Sequence, residues 1–162
     1  MSEAGTTRPV LDTTADTWYT WLGLVAASLA VGGVVAGLPT AAPADAGAVV
    51  AAIDDVASSP YEERERVTVP ADAMRLDSHS LALRSDGGTA HASFAREVTP
   101  VEGGRLADVL RGVPPADVYR TRDAFSAALR DAHAVDRKWR PAPDRLTVRR
   151  VTWGEVDATL VG

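Results

Sequence analysis

The sequence predicts an α+β domain carried behind one N-terminal transmembrane helix, and three stretches predict it. Trp18 to Leu38 reads WYTWLGLVAASLAVGGVVAGL without a charge, inside an uncharged run from Thr17 to Ala44. At about 1.5 Å per residue, a helix of that length spans roughly 30 Å, the hydrocarbon thickness of a bilayer. Ala46, Val49, Val50, Ile53, Val56 and Ala57 then recur at helical spacing on one face. His79 to Arg84, the turn residues Ser85-Asp86-Gly87-Gly88, and Thr89 to Val98 have the pattern of a β-hairpin. The expected organisation is a disordered tail over 1–16, a transmembrane helix over 17–38 and a proline-containing linker over 39–44. An extracytoplasmic α+β domain follows over 45–162, built on an antiparallel sheet of roughly four or five strands and about three helices.

The tail combines Arg8 with Glu3, Asp12 and Asp16 among Ser, Gly, Thr and Pro, and has no hydrophobic period to fold around. Trp18, Tyr19 and Trp21 cluster at the start of the apolar run, where amphipathic rings favour the membrane interface, and are the expected anchor residues. Arg8 precedes the run, and no Lys or Arg follows it until Arg64. The positive-inside rule therefore places the N-terminus in the cytoplasm and the domain outside the cell membrane. Ala44-Asp45-Ala46 has the form of a signal-peptide cleavage site, but the apolar stretch is longer than the usual 7–15 residues or so of a signal core. Length favours an uncleaved, single-pass anchor. Gly33 and Gly37, with the pairs Gly23/Ala27, Ala26/Ala30 and Ser28/Gly32, form small-residue rows that let helix backbones approach, a candidate helix-packing face. Pro39 and Pro43 end the helix.

In the domain, the apolar stripe from Ala46 to Ala57 predicts a helix laid on a sheet. Val67-Thr68-Val69 predicts a short strand stopped by Pro70. The hairpin has a definite register. Leu83 faces Ala90, Leu81 faces Ala92 and His79 faces Phe94, with His91 on the opposite side of the ribbon. Gly103-Gly104 opens a helix that Gly112 closes. Thr121 caps another, with Asp123 in its first turn and Phe125, Ala128, Leu129 and Ala132 as its inner stripe. Leu146-Thr147-Val148 and Val151-Thr152-Trp153 alternate in opposite phases, which predicts a bulge near Arg149-Arg150. Val156, Ala158 and Leu160 line the inner face of a final strand.

Composition narrows the chemistry. There is no cysteine, which excludes thiol catalysis, disulfides and thiolate metal sites. Of 17 basic residues only Lys138 is lysine, against 22 acidic residues and a net charge of −5. That balance argues against a nucleic-acid partner. Low lysine and high aspartate resemble the composition of proteins from extreme halophiles, although a high-GC genome favours the same residues. His79, His91 and His133 have no ligand-like spacing, and no phosphate-binding loop, nucleophile elbow or metalloprotease motif occurs. No catalytic, cofactor-binding or metal-ligating residue is predicted. The densest basic cluster is Arg137, Lys138, Arg140, Arg145, Arg149 and Arg150 around Trp139. It suits either anionic lipid headgroups and partners, or internal pairing with acids such as Asp136 and Asp144.

Asp16 to Leu24 (DTWYTWLGL), Leu83 to Ala92 (LRSDGGTAHA), Val98-Thr99-Pro100-Val101 and Pro141 to Trp153 (PAPDRLTVRRVTW) resemble a small haloarchaeal family of single-span membrane proteins of unknown function. The order of apolar helix, helical continuation and β-rich head is similar to that of archaeal type IV pilin-like proteins. Pilins carry a basic leader and a continuous helix, whereas this chain has Arg8 alone before its run and Pro39 and Pro43 after it. The resemblance thus implies an accessory or assembly component rather than a filament subunit. The expected function is that of a non-enzymatic, membrane-anchored envelope protein. It would contact the lipid bilayer and act through envelope protein partners or a homo-oligomer. The alternative is a tethered domain that binds or senses a small ligand or envelope component.

Overall fold

The computed structural model describes residues 42–162. The stretches 1–16 and 17–38, and with them Trp18, Tyr19, Trp21, Gly33 and Gly37, lie outside the described residues. Within 42–162 the order is α1 (Ala46–Ser58), β1 (Arg64–Thr68), β2 (Ala73–Leu76), β3 (Ser80–Ser85), β4 (Gly88–Ser93), β5 (Thr99–Pro100), α2 (Gly104–Arg111), α3 (Pro115–Val118), α4 (Arg122–His133), β6 (Arg140–Pro141), β7 (Arg145–Trp153) and β8 (Val156–Val161). The α+β class is therefore as predicted. The expected single sheet is instead two four-stranded sheets, ordered β1-β7-β8-β5 and β4-β3-β2-β6, and the helices number four among the described residues. None of those helices is long and apolar enough to cross a membrane.

Helix α1 forms where the stripe predicts it. Asp45 caps it by accepting the Ala48 N–H at 2.9 Å, and all six stripe residues are buried. All but Ala57 meet Val67 of β1, Met74 and Leu76 of β2, Leu81 and Leu83 of β3, and Leu146, Val148 and Val161 in one core that both sheets share. A second core lies on the opposite face of the first sheet. There Val151 and Leu160 meet Leu106, Val109 and Leu110 of α2, Tyr119, and Phe125 and Leu129 of α4. Thr121 caps α4 by accepting the Ala124 N–H at 3.2 Å. The first sheet is thus covered on both faces, by α1 and the second sheet on one side and by α2 to α4 on the other.

This double cover corrects the expectation of a bulge in β7. Its register with β8 runs without interruption from Val148↔Val161 to Trp153↔Val156, and with β1 from Arg64↔Arg149 to Thr68↔Arg145. The hydrophobic phase switches because the two halves of the strand bury different faces: Leu146 and Val148 toward α1, Val151 toward α2. The hairpin β3–β4 has the predicted register, with Leu81↔Ala92 and Leu83↔Ala90, and the Phe94 N–H bonds the His79 carbonyl at 2.9 Å. Strand β5 pairs in parallel with β8, through Thr99↔Leu160 and Pro100↔Val161, an exception to the antiparallel expectation.

The helices are held at their C-termini by guanidinium groups. The last carbonyls of a helix have no partner within it and carry the negative end of its dipole, so a cation with several donors suits them. Arg150, on the α1 side of β7, donates to the Ala57 carbonyl at 2.9 Å, to the Ser59 carbonyl and to the Asp157 carboxylate. Its neighbour Arg149 points through the other face and donates to the carbonyls of Val109 and, at 2.9 Å, Val113 at the end of α2. Arg64 of β1 reaches the Arg111 carbonyl at the same helix end. Arg137 donates to the Ala132 carbonyl in the last turn of α4 and lies 3.3 Å from Glu102.

Replacing Arg150 with methionine keeps the apolar stem but strips the donors from the end of α1. A loss of about 2 kcal/mol in urea unfolding is expected, of the size measured for bonds to charged groups, with Arg150→Lys recovering only part of it. Tyr119 supplies an alkaline counterpart. Burial raises its phenol above the usual range; Arg105, whose guanidinium lies 4.9 Å from the ring centroid, opposes the shift, and Asp108 adds to it. The folded state thus favours the neutral phenol. That contribution is complete below the unfolded value of about 10 and is lost as pH rises through the folded value. Stability should fall less steeply above pH of about 10 in Tyr119→Phe than in the parent, as measured by denaturant midpoints across alkaline buffers.

Candidate functional site

Half of the basic cluster of the sequence is consumed by the fold. The side chains of Arg137, Arg149 and Arg150 are only 7%, 11% and 16% exposed and are committed to helix ends and carboxylates. Trp139 lies half-buried against the second sheet, with the Arg84 guanidinium 4.2 Å and the Arg75 guanidinium 5.9 Å from its ring centroid. These three arginines pair internally, but with Glu102, Glu62 and Asp157 rather than with Asp136 or Asp144. Arg145 and Lys138 remain exposed.

The most concentrated constellation of titratable groups was not visible in the sequence. His79 precedes β3, Glu97 follows β4, Thr99 opens β5 and His133 ends α4. The parallel pairing of β5 with β8 draws Thr99 into the first sheet, and α4 packs its C-terminal turn against it. His133 Nε2 then lies 2.9 Å from Thr99 Oγ1, while His133 Nδ1 lies 3.3 Å from Glu97 Oε1. His79 Nε2 approaches the same carboxylate oxygen at 3.8 Å. One tautomer satisfies the His133 ring: Nδ1–H toward the carboxylate and Nε2 accepting the threonine hydroxyl proton. The only foretaste in the sequence was the hairpin register, which sets His79 beside the end of β4.

The order hydroxyl, imidazole, carboxylate is that of a nucleophile activated by an oriented base. Burial decides what it does here. Thr99 is 3% exposed, so its oxygen has no room for a substrate carbonyl. The adjacent depression, about 350 Å³, is lined by Ala57, Arg96, Glu97, Asp157, Ala158 and Thr159, so it reaches the carboxylate and not the hydroxyl. The arrangement therefore ties α4 to β5. Histidines 79 and 91 lie on opposite sides of the hairpin as its register requires, and among the described residues no three His, Asp or Glu side chains are placed to hold a metal ion.

Two other open depressions mark the domain surface. One, about 520 Å³, lies at the start of α4 between Arg120, Arg122, Asp123, Trp153 and Glu155. The other, about 600 Å³, lies where the chain enters α1, and its rim carries Asp45, Asp72, Asp86 and Asp144. The tie between α4 and β5 has a measurable consequence. Thr99→Val preserves shape while removing the buried hydroxyl partner of His133, and a loss of about 1 kcal/mol is expected in urea unfolding. His79→Ala, at a largely exposed side chain, should cost less in the same measurement.

No curated protein and no solved structure matches the chain. A family model matches residues 12–151, from the segment before the apolar run through Val151 in β7. The chain therefore belongs to DUF7283, a family of unknown function.

Proposed function

We propose that this protein is a single-span, non-enzymatic component of a haloarchaeal cell envelope. In this reading residues 17–38 anchor it in the cell membrane, and the α+β domain stands outside the cytoplasm and works through protein contacts, as a pilin-like accessory would. The observation that carries the proposal is the uncharged run from Thr17 to Ala44, long and apolar enough to cross the hydrocarbon of a bilayer as one helix. The domain supports it in two ways. Three of its arginines, Arg137, Arg149 and Arg150, are spent on helix ends, and four carboxylates gather on the rim around Asp45. The hydroxyl of the hydroxyl–imidazole–carboxylate set found among the described residues is buried away from any substrate.

A second reading, a tethered domain that binds a small ligand, draws on the depression at the start of α4, where Arg120, Arg122 and Trp153 offer positive charge beside an aromatic wall. The first reading is tested by fractionation. The full chain should remain with membranes through an alkaline carbonate wash, and a variant lacking residues 17–38 should be released. Protease added to intact cells should remove the domain. Release of the full chain by carbonate, or protection of the domain in intact cells, would overturn the anchored, outward-facing reading.

A further inference from the structure

We propose that the free edge of β4 is a self-association surface, on which two copies of this chain pair β4 with β4 antiparallel about a two-fold axis at His91. The inference stands on the sheet edge alone and does not require the anchor.

An open strand edge offers unpaired N–H and C=O groups to any other strand, and proteins blunt such edges with charge, proline, short length or a bulge. The two sheets have four ends. Strand β1 carries Arg64, Glu65 and Arg66. Strand β5 has two residues, one of them Pro100, and β6 likewise has two, Arg140 and Pro141. Strand β4 has six, Gly-Thr-Ala-His-Ala-Ser, with no proline, no Lys, Arg, Asp or Glu, and an unbroken register against β3. Three ends are defended and this one is not.

The hydrogen-bonding phase says which groups are free. Phe94 donates to the His79 carbonyl, so Gly88, Ala90 and Ala92 turn their backbone groups toward β3, and Thr89, His91 and Ser93 turn theirs away. All three are exposed, and β4 is the end strand of its sheet among the described residues. Ala90 and Ala92 already pack against the shared core, so a further strand would extend the sheet without moving it.

A second copy fits this edge better than an unrelated strand because the edge is its own complement. Antiparallel pairing centred on His91 sets Thr89 opposite Ser93 of the second copy and His91 opposite its equivalent, in reciprocal pairs, and closes on itself as an isologous dimer. The same register carries Asp86, in the turn before β4, toward Arg96 of the second copy, just beyond the other end, and symmetry repeats the contact. Both side chains are exposed, and neither has an ion-pair partner among the described residues.

The absence of cysteine makes the test direct. The full chain in detergent micelles receives one or two thiols and is oxidised at low protein concentration. His91→Cys should give a covalent dimer whose mass is twice that of one chain, because facing residues of a paired ladder lie at disulfide distance. Thr89→Cys with Ser93→Cys should do the same, while Thr89→Cys alone stays largely monomeric. Arg66→Cys on the defended edge of β1 should also remain monomeric, which separates strand pairing from proximity imposed by a shared micelle. Adding Arg96→Asp to His91→Cys should lower the dimer yield severalfold, and Asp86→Arg introduced with it should restore the yield. Monomer from His91→Cys, equal dimer from Arg66→Cys, or a crosslinked product containing another protein would each overturn the proposal. None of these outcomes bears on whether the chain is retained in membranes.

Discussion

The fold turns on a pair of adjacent arginines in the strand at the centre of the first sheet. Successive side chains of a strand point to opposite faces, so Arg149 and Arg150 leave β7 in opposite directions. Arg150 closes the end of α1 on one side, and Arg149 closes the end of α2 on the other. Arg64 and Arg137 complete the set, so every helix of eight residues or more among the described ones ends on a guanidinium. A lysine has the charge but not the planar fork, and its three donors sit on one nitrogen rather than spread over the two that Arg150 turns to its carbonyls and its carboxylate. The use of arginine for nearly all positive charge in this chain therefore has a structural reading beside a compositional one.

The sequence disclosed those features whose partners are near in the chain. The stripe of α1 needed only its own spacing, and all six residues are buried. The hairpin register followed from its turn, and the caps at Asp45 and Thr121 act on their own first turns. What stayed hidden depends on distant segments. Strand β2 has four residues that alternate only weakly, and it is a strand because β3 lies beside it. Strand β5 is two residues long and takes its direction from β8. The phase change in β7 resembled a bulge because a single sequence does not reveal that a sheet is covered on both faces.

The same limit governed the candidate sites. The basic run at 137–150 had the look of a surface patch, and its role emerged only when carbonyls as far as 93 residues away came within reach. The set Thr99, His133 and Glu97 had no sequence signature, since α4 and the segment after the β3–β4 hairpin meet only through packing. Geometry alone gave it the look of a catalytic relay, and solvent access decided otherwise. Four carboxylates, of Asp45, Asp72, Asp86 and Asp144, gather on the rim where the chain enters the domain. Such a rim discourages contact with other anions.

The position of β7 in the sheet also sets an order of events. Among the described residues β1 pairs with β7 alone, and α1 takes its terminal bonds from Arg150, so an early helix and an early strand wait for a late one. Until β7 arrives, the apolar stripe of α1 and the hydrophobic positions of β1 have no complete partner. Such long-range closure slows folding and leaves the chain pliable while it is being made. The shape of the first sheet thus makes the domain close late and as a whole, with its last two strands acting as the key to its first helix and strand.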